Sequence, residues 1–311
     1  MSTIGVLGSI AIDHIFQAET VPTLGQRVLA SLIGRHVGGM AVNQAMEAAR
    51  FTPDVQILGK VGADGDGREL LQELRARGIG TELLLTDPVV PTGKSFMYLV
   101  GKDYFSVVAA GANTSLTSAE AQAAVERLGS GRLIVSLEIP EEAVAAALST
   151  ARRRGIETVL VASPAERCMP EFLTNADWVI VNRREAQILF GLYAATMDET
   201  AKEVGKLPEP LGLLVTLSEE GAVLRVGANI YCVTAFPVES VDPVGAGDAL
   251  TGAFVAALSQ GLHPKQALEI ACVAGAFAVA TVGAQSSQHS SSQLMQLAEQ
   301  HYSTTSMEAL Q

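Results

Sequence analysis

Cysteine is scarce in this chain. Its 311 residues include only Cys168, Cys232 and Cys272, far apart and with no C-x-x-C pair. An odd, scattered set excludes a disulfide framework and a cysteine-rich zinc site. Free thiols in a reducing cytoplasm are expected instead. Positive charge is also short. Lys and Arg total 21 against 33 Asp and Glu, for a net charge of −12 and a pI near 4.9. That excludes a broad basic face for nucleic acid or an anionic membrane. A local anion pocket stays open, because backbone N–H groups can build one without cationic side chains. No long hydrophobic run occurs. The apolar, uncharged segment 270–284 is shorter than the ~20 residues of a membrane span and reads as a buried helix. The N-terminus has no basic n-region and Asp13 interrupts its apolar stretch, so it reads as a first strand and not a signal peptide.

Several catalytic patterns are missing too. The five histidines form no H-E-x-x-H. No G-x-S-x-G marks a hydrolase elbow. No G-x-x-x-x-G-K-[ST] marks a P-loop. Aromatics make up 5%, while glycine and alanine are abundant. That balance suits helices packed closely on a sheet, with glycine-bearing ligand loops.

What is present is apolar patterning. Charged residues are 17% and mean hydropathy is +0.29, enough for a large core. Neither a tandem repeat nor a low-complexity linker divides the chain. Strands are expected at 4–7 and 55–59, and helices at 43–51 and 67–77. From 118 onward helices and strands alternate: helices 118–128, 141–153 and 185–190, and strands 133–137, 158–161, 178–181, 212–216 and 222–226. Two large helices follow at 246–260 and 264–282, then a polar surface loop at 286–292. This alternation predicts an α/β fold: a mostly parallel sheet with helices on both faces. Ligands of such sheets sit at the C-terminal ends of the strands. The strand-like segments 27–33 and 95–109 do not fit the alternation and are expected in a small accessory sheet.

The segment richest in chemistry runs Val241-Asp242-Pro243-Val244-Gly245-Ala246-Gly247-Asp248-Ala249-Leu250-Thr251-Gly252-Ala253-Phe254. Two glycines turn the chain into an apolar helix. The first amides of that helix have no intrahelical partner, and the helix dipole adds partial positive charge there. Gly245, Ala246 and Gly247 would thus form an anion hole for a migrating phosphoryl group. Asp248 lies beside it, either as a base for an attacking hydroxyl or simply as an N-terminal cap. Leu250 stands where a dinucleotide fingerprint needs its third glycine, so a Rossmann reading is disfavoured.

This segment resembles the C-terminal signature of the ribokinase-like, pfkB-type carbohydrate kinases. Gly38-Gly39-Met40-Ala41-Val42-Asn43-Gln44-Ala45 resembles their N-terminal glycine pair, and the opening Val6–Ile15 stretch their start. Gly111-Ala112-Asn113, Leu137-Glu138, Asn182-Arg183-Arg184-Glu185, Thr216–Gly221 and Gly283-Ala284-Gln285 follow in family order over nearly the whole chain. The resemblance implies one kinase domain over 1–311, in which segments 13–37 and 91–111 form a β lid over the sugar. It implies sugar contacts from Asp13, Gly38, Gly39, Asn43 and Glu138. It implies an ATP site at Asn182, Glu185, Thr216, Ser218 and Gly221, with Glu185 ordering Mg²⁺ through water. It implies a monovalent cation, K⁺, at Asp242, Val244, Ala278, Thr281, Gly283 and Ser287, and a homodimer joined through the lid sheet.

The chain departs from the family in places. Ala11 stands where Asn is usual, Met40-Ala41 where Lys-Gly is usual, and Ala162 where Asn or Asp is common. The first two changes remove polar contacts near the sugar and leave the acceptor open. The main expectation is ATP-dependent phosphorylation of a sugar or sugar-like alcohol. A nucleoside kinase and a non-catalytic sugar-binding regulator are the alternatives.

Overall fold

The structure is a computed structural model that describes residues 2–101, 103–207, 212–239, 241, 244–280 and 289–308. The first half of the chain runs β1 (Thr3–Leu7), β2 (Ala11–Ala18), β3 (Ala30–Gly38), α1 (Met40–Phe51), β4 (Val55–Gly62) and α2 (Gly65–Ala76). It continues through β5 (Gly80–Asp87), β6 (Gly93–Val100), β7 (Asp103–Ala109), α3 (Ser118–Arg127), β8 (Gly131–Ser136) and α4 (Glu141–Arg154). Next come β9 (Glu157–Val161), α5 (Pro170–Asn175), β10 (Trp178–Asn182), α6 (Arg183–Phe190), α7 (Met197–Val204) and β11 (Gly212–Thr216). The chain closes with β12 (Gly221–Val226), β13 (Asn229–Thr234), α8 (Ala246–Ser259), α9 (Pro264–Val279) and α10 (Ser291–Glu308).

Nine strands form one sheet in the order β13-β12-β11-β10-β9-β8-β1-β4-β5. The pairs from β11 across to β5 are parallel; the β11–β12 and β12–β13 pairs are antiparallel. Alternate side chains enter separate cores on the two faces. Ile4, Val6, Ile57 and Ile134 pack with α1, α8 and α9 residues such as Ala45, Phe254 and Ala271. Leu7, Leu133 and Val135 pack on the opposite face with Val125, Val144 and Leu148 from α3 and α4. Both faces are covered because these strands carry aliphatic side chains at almost every position.

A separate four-stranded sheet has the order β3-β2-β6-β7. The expected strand 27–33 lies later, at Ala30–Gly38, and 95–109 is two strands and not one, with a turn at Gly101 (φ 62°). Strand β2 escapes sequence reading because Asp13, His14 and Gln17 break its apolar pattern. Strands β5 and β13 and helices α7 and α10 were not expected. Of the expected 264–282 helix, α9 ends at Val279, with Ala280 as its cap; 281 and 282 lie outside the described residues. Ser291 and Ser292, expected in a loop, begin α10.

Asn113 ties the two sheets at their junction. Its side chain accepts from Ile10 N–H at 2.9 Å and donates to the Ile10 and Ala110 carbonyls at 2.9 and 2.8 Å. Asp64, the N-cap of α2, accepts from the backbone N–H of Thr92 at 2.9 Å. Just beyond, Arg35 of β3 reaches Asp66 and Glu69 of α2 at 2.8 and 2.5 Å. Lys94 of β6 reaches the same Asp66 at 3.0 Å. These cations, Lys94 first, hold the Asp66 carboxyl below its ordinary range.

Candidate active site

The C-terminal ends of the parallel strands gather the expected residues. Ser9 follows β1, Asp13 lies in β2 just beyond it, Glu138 follows β8, and Asn182 and Thr216 end β10 and β11 as neighbours in register. Helix α1 enters from the small sheet through Gly38 and Gly39. A side chain at Gly38 would put its Cβ 2.0 Å from Asp13 Oδ2, so only glycine lets that carboxyl lie against the strand end. Gly39, at φ 88°, turns the chain into α1, and its backbone N–H donates to Asp13.

Helix α8 begins at Gly245, whose φ of 83° is the left-handed region that glycine adopts freely. Gly245, the N-cap, has no side chain to cap this helix start. Gly247 is exposed, and a Cβ there would meet nothing within 4 Å. Asp248 is half-buried in the first turn and does not cap its own helix. Its carboxylate is held from α1: Asn43 Nδ2 donates to Oδ2 at 3.1 Å and Gln44 Nε2 to Oδ1 at 2.9 Å. The reading of Asp248 as a cap is therefore set aside. Asn43, expected to contact a sugar, has this contact with Asp248. Gln44 was missed; it stood unremarked inside the glycine-pair motif.

Three carboxyls converge here. Burial pushes Asp248 up to about 7 against the pull of its two amide donors, with Glu138 adding repulsion. Burial likewise pushes Asp13 up to about 7, with repulsion from Asp248 and Glu138 and an opposing pull from the Gly39 amide. Glu138 accepts a short hydrogen bond from the Ser9 hydroxyl, which in turn accepts from Met40 N–H at 3.1 Å. Met40 bonds Ser9 through its N–H, and Ala11 pairs with Gly38, so both family departures lie beside this cluster.

Asn182 and Glu185 form a reciprocal cap on α6. Asn182 Oδ1 accepts from Glu185 N–H at 2.9 Å, and Glu185 Oε2 accepts from Asn182 N–H at 2.8 Å. The cap reading of Asn182 thus holds, and it leaves Glu185 Oε1 for another partner. Thr216 is half-buried, Ser218 is exposed with φ 54°, and Gly221 closes the loop into β12. Among the cation candidates, Val244 is half-buried at the glycine turn and Ala278 is buried near the end of α9. The bond from Val241 N–H to the Val279 carbonyl, 2.7 Å, brings these two segments together. Asp242, Thr281, Gly283 and Ser287 lie outside the described residues. Ala162 is fully buried and packs in the core beyond β9. No group of three His, Cys, Asp or Glu side chains among the described residues is arranged to hold a metal directly.

Known proteins share the sequence pattern and the fold. The model of the pfkB family carbohydrate kinases matches residues 1–291. A ribokinase of Bacillus subtilis is 33% identical over 288 residues, covering 92% of this chain and 95% of the relative. A deoxyribokinase of Salmonella typhi is 30% identical over 289 residues, covering 91% and 94%. The structure of Arabidopsis thaliana ribokinase complexed with ribose and ATP superposes with a TM-score of 0.83 at 22% identity, covering 96% and 99% of the two chains, and so shares the fold. With its glycine turn, its two-sheet architecture and these relatives, the chain belongs to the pfkB family of carbohydrate kinases.

Proposed function

We propose that this carbohydrate kinase transfers the γ-phosphate of ATP to a sugar hydroxyl, with Asp248 as the base. The observation that carries the reading is Asp248 itself: a carboxylate gripped by two amides, in the first turn of a helix whose N-cap is glycine. The hydroxyl oxygen attacks the γ-phosphorus, the bond to the bridging oxygen of ADP breaks, and the hydroxyl proton passes to Asp248. The amides of Gly245, Ala246 and Gly247 face the charge that develops. Asp13, Gly38, Gly39, Asn43 and Glu138 position the sugar. Asn182, Thr216, Ser218 and Gly221 line the nucleotide side. Mg²⁺ would neutralise phosphate charge, and Glu185 Oε1 is the carboxylate oxygen left by the cap to reach it through water. K⁺ would sit between the Val244 and Ala278 segments.

The small sheet acts as a lid, closing over the sugar to keep water from competing as acceptor. Its face supports a sugar over a nucleoside. Directly paired residues share a face, so Asp13 shares its side with Ser95, and Ile15 with Met97. The stacked rings His14–Phe96 and Phe16–Tyr98–Phe105 occupy the other side. The lid is thus richer in aromatics than composition implied, but its rings point away from Asp13, where a base would need them. That outer face also exposes Leu32 (55%) and Val107 (57%), which suits a second copy of the chain and a homodimer. The free cysteines fit a reducing, cytoplasmic setting.

The test is ADP release with ATP and a panel of pentoses, hexoses and nucleosides. Pentoses, the acceptors named for the relatives, are expected to give the highest kcat/KM. Turnover confined to nucleosides would overturn the acceptor, and tight sugar binding without turnover would make the protein a regulator.

A further inference from the structure

We propose that Gln44 is a positioning residue for the phosphoryl-transfer base, orienting the Asp248 carboxylate from within the α1–α8 interface. The inference rests on Asp248 being that base. Gln44 is fully buried on α1. Its Nε2 donates to Asp248 Oδ1 at 2.9 Å, while its Oε1 has no hydrogen-bond partner. Burying an amide is costly unless its polar atoms are bonded, so a residue kept there for packing alone would be apolar. The side chain's single polar contact is with the base.

The backbone is shaped to permit that contact. Gly252, one turn along α8 from Asp248, lies against α1. A Cβ at 252 would come within 2.5 Å of the Gln44 carbonyl oxygen and 2.9 Å of Glu47 Cβ. Without a side chain there, the two helices approach closely enough for Gln44 to span them. Asn43 and Gln44 are consecutive on α1 and take one carboxylate oxygen each. Together they fix the carboxylate plane, so one lone pair on each oxygen faces the hydroxyl. They differ in exposure: Asn43 borders the cleft, whereas Gln44 lies wholly behind the carboxylate.

This grip also works against burial, which raises the carboxyl of Asp248. Among the described residues, the ionisable groups facing Asp248 are Asp13 from β2 and Glu138 after β8; both are acidic and oppose its ionisation. Glu47, one turn beyond Gln44 on α1, is itself pushed up to about 7 by burial. Helix α9 meets the start of α8 at Gly275 and brings no charge to that contact. Amide donors are therefore what keep the base ionised near neutrality. Removing one raises the pH at which Asp248 loses its proton, and activity that needs the carboxylate then falls at a higher pH.

The experiment is the pH profile of kcat at saturating sugar and ATP for Gln44→Met, which keeps the volume and loses the donor. The acid limb is expected to move up by roughly one pH unit, with turnover recovering toward the parent rate above it. The KM for ATP should not change. An acid limb that coincides with the parent's overturns the proposal, whether the rate is normal or lowered uniformly. Should Gln44→Met not fold, Gln44→Glu keeps the shape and adds negative charge. Its limb should move further up, and an unmoved limb again overturns the inference. Asp248→Asn is measured alongside. If it keeps normal turnover, the base assignment itself is wrong; if it loses turnover while the Gln44 limb stays put, only the role of Gln44 fails.

Discussion

The two sheets bury their side chains in opposite ways. Strands β1, β8, β9, β10 and β11 are almost wholly buried, and their aliphatic side chains fill one core above the sheet and another below it. Strand β3 of the small sheet exposes Leu32 and Ile33, and β7 exposes Val107 and Val108. The small sheet is joined to the rest through Ile12 and Val37, which enter the main core, and through polar links: Asn113, the Asp64–Thr92 bonds, and the Arg35 and Lys94 ion pairs. A rigid core suits residues that must hold phosphate and base in line. A sheet tethered by exposed ion pairs suits a part that must move, because such pairs contribute little each and are screened by salt. In the proposed function, Asp13 brings the small sheet into recognition of the sugar, while Asp248 on the large unit carries the chemistry.

Substitutions can break that division. The largest effect on the small-sheet side is expected from Asp13→Ala. Losing the carboxylate should raise the sugar KM roughly 10- to 100-fold and leave the KM for ATP unchanged; an equal rise in both would dissolve the distinction. A smaller effect is expected from Arg35→Ala combined with Lys94→Ala. In the parent enzyme the sugar KM should rise with salt as the latch to Asp66 and Glu69 is screened. In the double variant it should be about 2- to 5-fold higher at low salt and insensitive to salt. Retained salt dependence would remove the latch from lid closure.

The sequence disclosed these regions unequally. Apolar runs such as Leu133–Val135 in β8 and Val179–Val181 in β10, separated by helical periods, made the parallel sheet legible. The glycine turn before Asp248 was legible because it combines two glycines, an acid and an apolar helix. Strand β2 was not, since Asp13 and His14 interrupt the pattern that reveals strands; the polarity of Asp13 belongs to the site, not to the fold. Gln44 was hidden for a different reason. Nothing local distinguishes a buried amide from a surface one on an alanine-rich helix. Its meaning comes from Gly252, more than two hundred positions later, which brings α8 close enough to touch. The Asn182–Glu185 pair carried two meanings at one spacing, and the cap is present whatever else those side chains hold.

The central claim is that Asp248 is an ionised base held ready at some expense of stability. Its folded-state pKa, raised from 3.8 to about 7, means that the folded protein binds more protons than the unfolded chain between those values. Asp248 therefore weakens stability increasingly as pH rises through that window, with the full effect above pH 7. The most direct measurement is Asp248→Asn, followed by turnover and by thermal unfolding at pH 8. Turnover should fall by roughly 10²-fold or more with ATP binding intact, while the melting temperature rises relative to the parent. Near-normal turnover, or lost turnover accompanied by a lower melting temperature at pH 8, would contradict the account.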